Sequence, residues 1–498
     1  MLVENQTHVP DILDCIANLS SDEVFTPPDV ANQVLDLLPK EIWSNPDIKI
    51  LDPCTKTGIF LRESARRLMV GLEEKIPNEI ERREHIFKNM LFGIAITELT
   101  GLLARRSLYY SKDAMNDYSI VQFKDSDGNI QFKRMEHEYV QGKCKVCGSP
   151  YENLERGSTM ENYAYQFIHE KDVSHMKFDV VVGNPPYQIA DGGGGKGTSA
   201  SPLYHLFVNQ AFRLKPRYVA MIIPSRWFSG GKGLDSFREQ MLNSTNFRSL
   251  VDYTNALEVF PGTQIKGGVC YFLWDKNYTG PCEVTQIEEG SPSESTRRYL
   301  NEHGDVFIRF NEATPILDKV KEKATSFHDE FVSSRKPFGI LSNFKDYKEK
   351  EFKGSIQLYG VDGIKWIDRK YVTTNKEWIG FWKTLIPKAG PGNDGYPHRI
   401  LGVPLVAPPG SCATETYLVA GVFESQVEAE NLAKYLKTKF ARFMIALVKN
   451  TQNLTKSGFR FLPVLDYGST WTDKTLFKYF EISDKESEFI DSIVKPMD

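Results

Sequence analysis

Long hydrophobic runs are missing from this chain. No stretch approaches the roughly 20 unbroken apolar residues of a membrane span, and the start, MLVENQTHVPDILDC, lacks the basic and apolar regions of a secretory signal. No membrane role is therefore expected, and a cytoplasmic location is. Cysteine is scarce: seven among 498 residues, odd in number and scattered, which fits a reducing compartment better than a disulfide framework. An excess of positive charge is lacking too. With a net charge of -4 the chain is no polycation, so any nucleic-acid partner must be held by a local patch. Internal repeats and low-complexity tracts are absent apart from GGGGKG. What is present, 41% hydrophobic and 25% charged residues, describes a globular chain long enough for two or three packed domains.

Strands and helices alternate in the first half. DEVFTPPDVANQVLDLLP turns at Pro27 and Pro28, then spaces Val30, Val34, Leu37 and Leu38 as a helix beginning near Asp29. IKILDPCTKTGIFLRESARRLMVGLEEK predicts a short buried strand, Ile48 to Leu51, a turn carrying Gly58, and a helix from about Phe60. NMLFGIAI and TELTGLLARRSLYY repeat the pair, and FDVVVGN and YVAMIIPSRWF add further strands. This is the pattern of a doubly wound α/β sheet. Between the second helix and FDVVVGN lies an insertion holding KDSDGNIQF, which has the composition of a hairpin, and HEYVQGKCKVCGSPYENLER. Beyond about Tyr278 the alternation fades.

In open α/β sheets ligands lie outside the carboxyl ends of the strands, and two loops of this chain belong there. In DPCTKTGIF, Gly58 lets the backbone approach a ligand, and Asp52 offers a carboxylate to a positively charged or hydroxylated group. An ordinary strand-to-helix turn is the alternative. In NPPY, Pro185 and Pro186 remove the amide donors that would continue a ladder, and a polar Asn184 at a buried strand end needs a hydrogen-bond partner. An aromatic exocyclic amine is a poor nucleophile, because its lone pair is delocalised into the ring. If the Asn184 side-chain oxygen and the Pro185 carbonyl accept its two N–H bonds, the lone pair is aimed at an electrophilic methyl group while Tyr187 stacks on the ring.

With VFTPP, DPCTKTGIF and NPPY in that order, followed by a large carboxyl-terminal part, the chain resembles the gamma-class DNA adenine methyltransferases of bacterial restriction-modification systems. The resemblance covers most of residues 20 to 275 by motif, and the remainder by position and general likeness. It implies a doubly wound, Rossmann-like methyltransferase sheet over residues 1–277 with an insertion at about 119–160, a connecting segment at 278–338, and an α+β target-recognition domain at 339–498. It also implies S-adenosylmethionine as cofactor, with Phe25, Thr26 and Pro27 in contact with it, Asp52 and Gly58 lining its methionine end, and Pro53 and Phe60 beside them in the same loop. Asn184, Pro185, Pro186 and Tyr187 would hold an adenine flipped out of duplex DNA. Thr55, Lys56 and Thr57 depart from the family, which has a further glycine and small residues there. The family's acid for the ribose hydroxyls has no counterpart in FGIAITEL except Glu98, which also reads as a solvated helix residue.

Other features bear on partners. ADGGGGKGTSASP, Ala190 to Pro202, suits a mobile loop over the flipped base or a plain surface loop; it is not a P-loop, because Gly197 follows Lys196 where Ser or Thr is required. Cys144 and Cys147 in CKVCG, with His137 shortly before, make the two-cysteine turn of structural zinc sites. A second pair is missing from that motif; His169 or His175 would have to serve, and the alternative is a reduced pair in a tight turn. KYLKTKFARFMIALVKNTQNLTKSGFR holds Lys434, Lys437, Lys439, Arg442, Lys449, Lys456 and Arg460 without an acidic residue. Leu436, Phe440, Phe443 and Leu447 form its buried stripe, so the cations are expected on the outer face, against DNA phosphates. Trp227 and Arg226 in PSRWF read as packing. Only about twenty residues precede VFTPP, and no helicase P-loop is found, so restriction is expected to need a separate endonuclease or helicase subunit. Two rivals keep the fold: a methyltransferase acting on a protein glutamine, and a catalytically silent DNA-binding subunit.

Overall fold

The structure, a computed structural model, describes residues 24–151, 164–170, 177–189, 201–228, 231, 233–263, 265, 267–288, 290–390, 397–449 and 453–497. Two compact units divide the chain, Met1–Phe307 and Ile308–Asp498.

In the first unit, α1 (Pro28–Asp36) leads to β1 (Ile50–Thr55), α2 (Ile59–Gly71), α3 (Glu79–His85), β2 (Leu91–Ala95), α4 (Glu98–Tyr109) and β3 (Ile130–Gln131). The hairpin β4 (Tyr139–Val140) and β5 (Lys143–Cys144) follows, then α5 (Gln166–His169), β6 (Val180–Gly183) and the pair β7 (Gln188–Ile189) and β8 (Ser201–Pro202). After these come α6 (Tyr204–Arg213), β9 (Tyr218–Pro224), α7 (Asp235–Asn243), β10 (Phe247–Tyr253), β11 (Val269–Asp275), β12 (Cys282–Glu288), β13 (Ser291–Pro292) and β14 (Thr296–Arg298).

One large sheet runs in the order β3-β2-β1-β6-β9-β11-β10-β12-β13, with β14 also on β12. From β3 to β9 all neighbours are parallel, so the doubly wound sheet expected from the sequence is present. β11 lies antiparallel between β9 and β10. The described residues between β10 and β11 hold only a 3-10 turn, Ala256–Glu258, which cannot serve as the crossover helix that a parallel connection needs. Buried apolar runs make these strands: Val180, Val181 and Val182 of β6 are fully buried, each contributing about 1.5–3 kcal/mol. The chain winds outward from β1 to β3 and then returns past β1 to β6, so strand order reverses between β1 and β6. Ile50 pairs with Val180 and Leu51 with Val181 across that reversal.

Two expectations need correction. KDSDGNIQF is not a hairpin: the Asp125 carboxylate accepts from the amides of Asp127 and Gly128, the chain turns there, and Ile130 then pairs in parallel with Gly93 on the open edge of β2. Residues 278–338 are not a connector either. β12 pairs in parallel with β10, and β13 and β14 with β12, so the first part of that segment extends the sheet and the unit ends only at Phe307.

The second unit contains α8 (Ala313–Lys323), β15 (Ser355–Gly360), β16 (Gly363–Asp368), β17 (Trp382–Pro387), β18 (Leu405–Ala407), β19 (Ser411–Ala413), β20 (Tyr417–Phe423), α9 (Gln426–Lys437), α10 (Lys439–Ala446), α11 (Asp473–Tyr479) and α12 (Asp484–Ile493). Its strands form two sheets, β16-β15-β19 and β18-β17-β20. The second of these separates two apolar clusters, because alternate residues of a strand face opposite ways. Leu385 and Val419 join the cluster around Phe338 and Ile367, while Ile386, Leu418 and Ala420 join the helical cluster around Tyr435, Phe440 and Phe443. No helix among the described residues is long and apolar enough to cross a membrane.

Candidate active site

Because β1 and β6 are neighbours, the loops at their carboxyl ends meet. Asp52, 3% exposed, accepts the Cys54 amide on Oδ1 at 3.1 Å, and its own carbonyl accepts the Thr55 hydroxyl at 2.8 Å. Gly58 caps α2 in the left-handed region, φ +75°, where a side chain would also press on Ala104 and Leu108. Gly183, the last residue of β6, approaches the other loop most closely. A Cβ there would lie 2.8 Å from Cys54 Sγ and 3.0 Å from Asp52 Oδ1. Gly183→Ala is accordingly expected to force the two loops apart and to destabilise the first unit by about 1–3 kcal/mol. Chemical denaturation reads that loss, and an unchanged midpoint would show that the contact is dispensable.

The NPPY loop begins with Asn184, also 3% exposed. Its Nδ2 donates to the Val24 carbonyl at 3.2 Å and to Thr26 Oγ1 at 3.0 Å. A carbonyl can only accept, so this pair of contacts fixes which end of the amide faces the amino-terminal segment. Oδ1 consequently points the other way, buried and without a hydrogen-bond partner among the described residues. Leaving such an acceptor unsatisfied costs about 1–3 kcal/mol, a cost that a donating ligand would remove. Tyr187 stands edge-on to Phe260, ring centroids 6.3 Å apart, and its carbonyl accepts the Leu203 amide at 3.0 Å.

A cleft opens between these loops, lined by Thr26, Asp52, Lys56, Gly58, Phe60 and Asn184 among others. Lys56 is buried and donates to the same Val24 carbonyl at 2.7 Å. Burial pushes the Asp52 carboxyl up to about 6, against the pull of the Cys54 amide and the Lys56 charge. Burial likewise drives the Tyr187 phenol and the Cys54 thiol well above their ordinary values, the latter helped by Asp52 beside it. Both stay protonated at neutral pH, so neither is a base or a nucleophile. The site positions groups; it does not offer a strong base.

The sequence carries its kinship across the part of the site that holds NPPY. Residues 89–260 match the family model described as Eco57I restriction-modification methylase. A protein of Mycoplasma pneumoniae described as an uncharacterised adenine-specific methylase is 37% identical over 311 residues, 56% of this chain and 73% of that protein. The chain belongs to the adenine-specific methylases. Methylases of this kind take their methyl group from S-adenosylmethionine. Among solved structures, the type IIL enzyme MmeI in complex with DNA overlaps with a TM-score of 0.47 at 12% identity, covering 87% of this chain and 63% of that one. The M protein of EcoKI overlaps with a TM-score of 0.35 at 15% identity, covering 56% and 51%. The methylase thus spans about half the length of the solved modification subunits that it matches. Family membership rests on the sequence relationships.

In the methylase, Thr26, Pro53, Phe60, Pro185 and Pro186 are buried, and Phe25 and Pro27 are half-buried. The structure brings Thr26, Asp52, Gly58, Phe60 and Asn184 to one cleft. It adds Lys56, which the sequence marked only as a departure from the family, and Gly183, whose sole signal is its place before NPPY. Glu98 is exposed in the first turn of α4, while the Thr97 hydroxyl caps that helix on the Thr100 amide. Trp227 is core, fully buried. His137, Cys144, Cys147 and His169 come together. His175 and residues 190–200 lie outside the described residues.

The expected outer basic face in the second unit is corrected. Thr438 breaks the segment into α9 and α10, its hydroxyl capping Ala441 while Asp473 accepts the amides of Lys439 and Phe440. After that break, residues 440–446 are all buried and leave no outer face. Arg442, 1% exposed, donates to the carbonyls of Lys437, Thr438, Arg399 and Lys495. Lys449 donates to the Ile400 carbonyl, and Lys439 pairs with Asp491 at 2.6 Å. Lys434 and Lys456 are exposed, and Lys437 and Arg460 are half-buried.

Proposed function

We propose that this methylase transfers a methyl group from S-adenosylmethionine to the exocyclic amine of an adenine flipped out of duplex DNA, as the modification component of a restriction-modification system in the cytoplasm. The observation that carries this reading is the Asn184 Oδ1: a buried acceptor, fixed in direction, without a donor among the described residues. It suits one N–H of an amine, and the Pro185 carbonyl suits the other. Tyr187, neutral and braced against Phe260, offers a ring face to the base. S-adenosylmethionine supplies an electrophilic methyl group on a sulfonium. Asp52 and Lys56, opposite charges lining one cleft, suit the zwitterionic methionine end, and Gly58 keeps the backbone clear beside them. Two held N–H bonds aim the nitrogen lone pair, so no proton has to leave before transfer. Lys434, Lys437, Lys456 and Arg460 are the DNA phosphate contacts of this reading, and a separate endonuclease or helicase subunit is its partner. A zinc ion at Cys144 and Cys147 is its second bound group.

The test is transfer of tritiated methyl from S-adenosylmethionine to unmethylated duplex DNA, followed by nucleoside analysis. Label in methyladenine supports the reading. Label recovered in protein would shift it to glutamine, and absence of cofactor binding would leave a silent DNA-binding subunit.

A pH dependence follows from Asp52. Its carboxyl, raised to about 6 by burial, is protonated below that pH, and a cationic ammonium favours the ionised form. Cofactor affinity is therefore lost as pH falls through 6, by about tenfold between pH 7 and pH 5. Isothermal titration at the two pH values checks this, and Asp52→Asn should bind weakly and without the slope. The same charge works against the folded state. With a folded value above the unfolded one, Asp52 contributes stability at low pH that disappears as pH rises through 6.

A further inference from the structure

We propose that His137, Cys144, Cys147 and His169 together form a closed, four-ligand zinc site that locks the β4–β5 hairpin to α5. This inference rests on the zinc reading of the two-cysteine turn and assigns the ligands and the role which that turn alone does not. The ligand atoms of all four residues lie within 4.8 Å of one another. Cys144 Sγ is 3.5 Å from His169 Nε2, and Cys147 Sγ is 3.5 Å from His137 Nδ1. With Zn–S of about 2.3 Å and Zn–N of about 2.0–2.1 Å, tetrahedral angles place a sulfur and a nitrogen ligand roughly 3.5 Å apart. The two sulfur–nitrogen spacings match that edge, and the remaining ligand atoms lie close enough to close on one ion.

Surrounding contacts prepare the ligands. His169 Nδ1 lies 2.9 Å from the Tyr165 carbonyl, which makes Nδ1 the protonated nitrogen and turns the Nε2 lone pair toward the cysteines. The Val146 amide donates to Cys144 Sγ at 3.4 Å, and Gly148, at φ +74°, closes the turn with its amide on the Cys144 carbonyl. Both thiols are free and buried. Two thiolates neutralise the ion, and four protein ligands leave no position for water or substrate, so the site is structural.

Its place in the fold gives it a task. Three ligands come from residues 137–147 and the fourth from α5, across the stretch that the sequence marked as an insertion. Phe167 and Tyr165 beside His169 pack on Phe207 of α6, at 6.0 Å and 5.7 Å between ring centroids. The residue before α6, Leu203, donates to the Tyr187 carbonyl. The ion therefore fastens the inserted hairpin to α5, which packs on the helix that follows the NPPY loop.

Metal analysis of the full chain, purified without chelator, is expected to find one zinc per protein. The cobalt-substituted protein should show thiolate charge-transfer bands and the intense visible bands of a tetrahedral S2N2 site, a readout that needs no variant to fold. His137→Ala and His169→Ala should each lose most of the metal, whereas His175→Ala keeps it. Absence of zinc together with absence of the cobalt spectrum would overturn the zinc reading itself. Zinc retained in His169→Ala and lost in His175→Ala would overturn this ligand set while leaving that reading in place.

Discussion

Asn184→Ala is expected to lower the rate of methyl transfer by about 10²–10³-fold, the range found when one preorganised partner of a reacting group is removed. Only the Asn184 amide combines an anchored donor with an unsatisfied buried acceptor in the cleft described here. Alanine removes both, so the amine would be held at one N–H instead of two. Asn184→Asp separates the effects. It keeps an acceptor but loses the donor to the Val24 carbonyl, and a carboxylate facing a carbonyl is repelled. It should therefore be inactive as well, though an acceptor remains. Single-turnover assays with saturating S-adenosylmethionine measure the step, and cofactor binding within a few-fold of the original shows that the cleft is intact. Wild-type rates in Asn184→Ala would remove the central residue from the proposed chemistry.

Arg442→Met should cost about 3 kcal/mol of stability, because four backbone carbonyls, the one of Thr438 buried, lose the guanidinium as donor at once. The methionine fills much of the same space, so the loss reports the hydrogen bonds and not a cavity. Urea denaturation supplies the number. An exposed cation that touches phosphate behaves in the opposite way: Lys456→Ala should leave stability within about 0.5 kcal/mol and flatten the salt dependence of DNA binding by about 0.9 in logarithmic slope. If Arg442→Met were as stable as the original protein and bound DNA more weakly, the buried placement of its guanidinium would be wrong and the outer-face reading right.

That contrast shows what the sequence can convey. Apolar runs such as VVVG and motifs such as NPPY announce themselves, because the cue and the structure occupy the same residues. The doubly wound sheet was likewise legible from strands alternating with helices, whereas the place where strand order reverses, between β1 and β6, comes from the structure. Arg442 was not, because its direction depends on a helix break at Thr438 stabilised by Asp473, 34 residues beyond Lys439. A basic segment with an apolar stripe looks the same whether it continues as one helix or turns inward. Residues 282–298 looked irregular because short strands added to a sheet edge have no periodicity long enough to stand out. The anchoring of Asn184 was equally hidden, since its partners Val24 and Thr26 lie 160 and 158 residues away, one of them through a backbone carbonyl that has no residue signature. His169 could be named as a candidate by type, but only the packing of α5 on α6 brings it to the cysteines.

The Val24 carbonyl accepts from both the Lys56 ammonium and the Asn184 amide. In the proposed reading one oxygen serves both the group beside the methyl donor and the group that grips the base, so the two occupants are expected to be thermodynamically interdependent. If a bound donor draws on Lys56, the share of that oxygen left to Asn184 changes, and with it the firmness of the grip. Linkage then requires that the factor by which the donor alters affinity for the extruded base equal the factor by which DNA alters affinity for the donor.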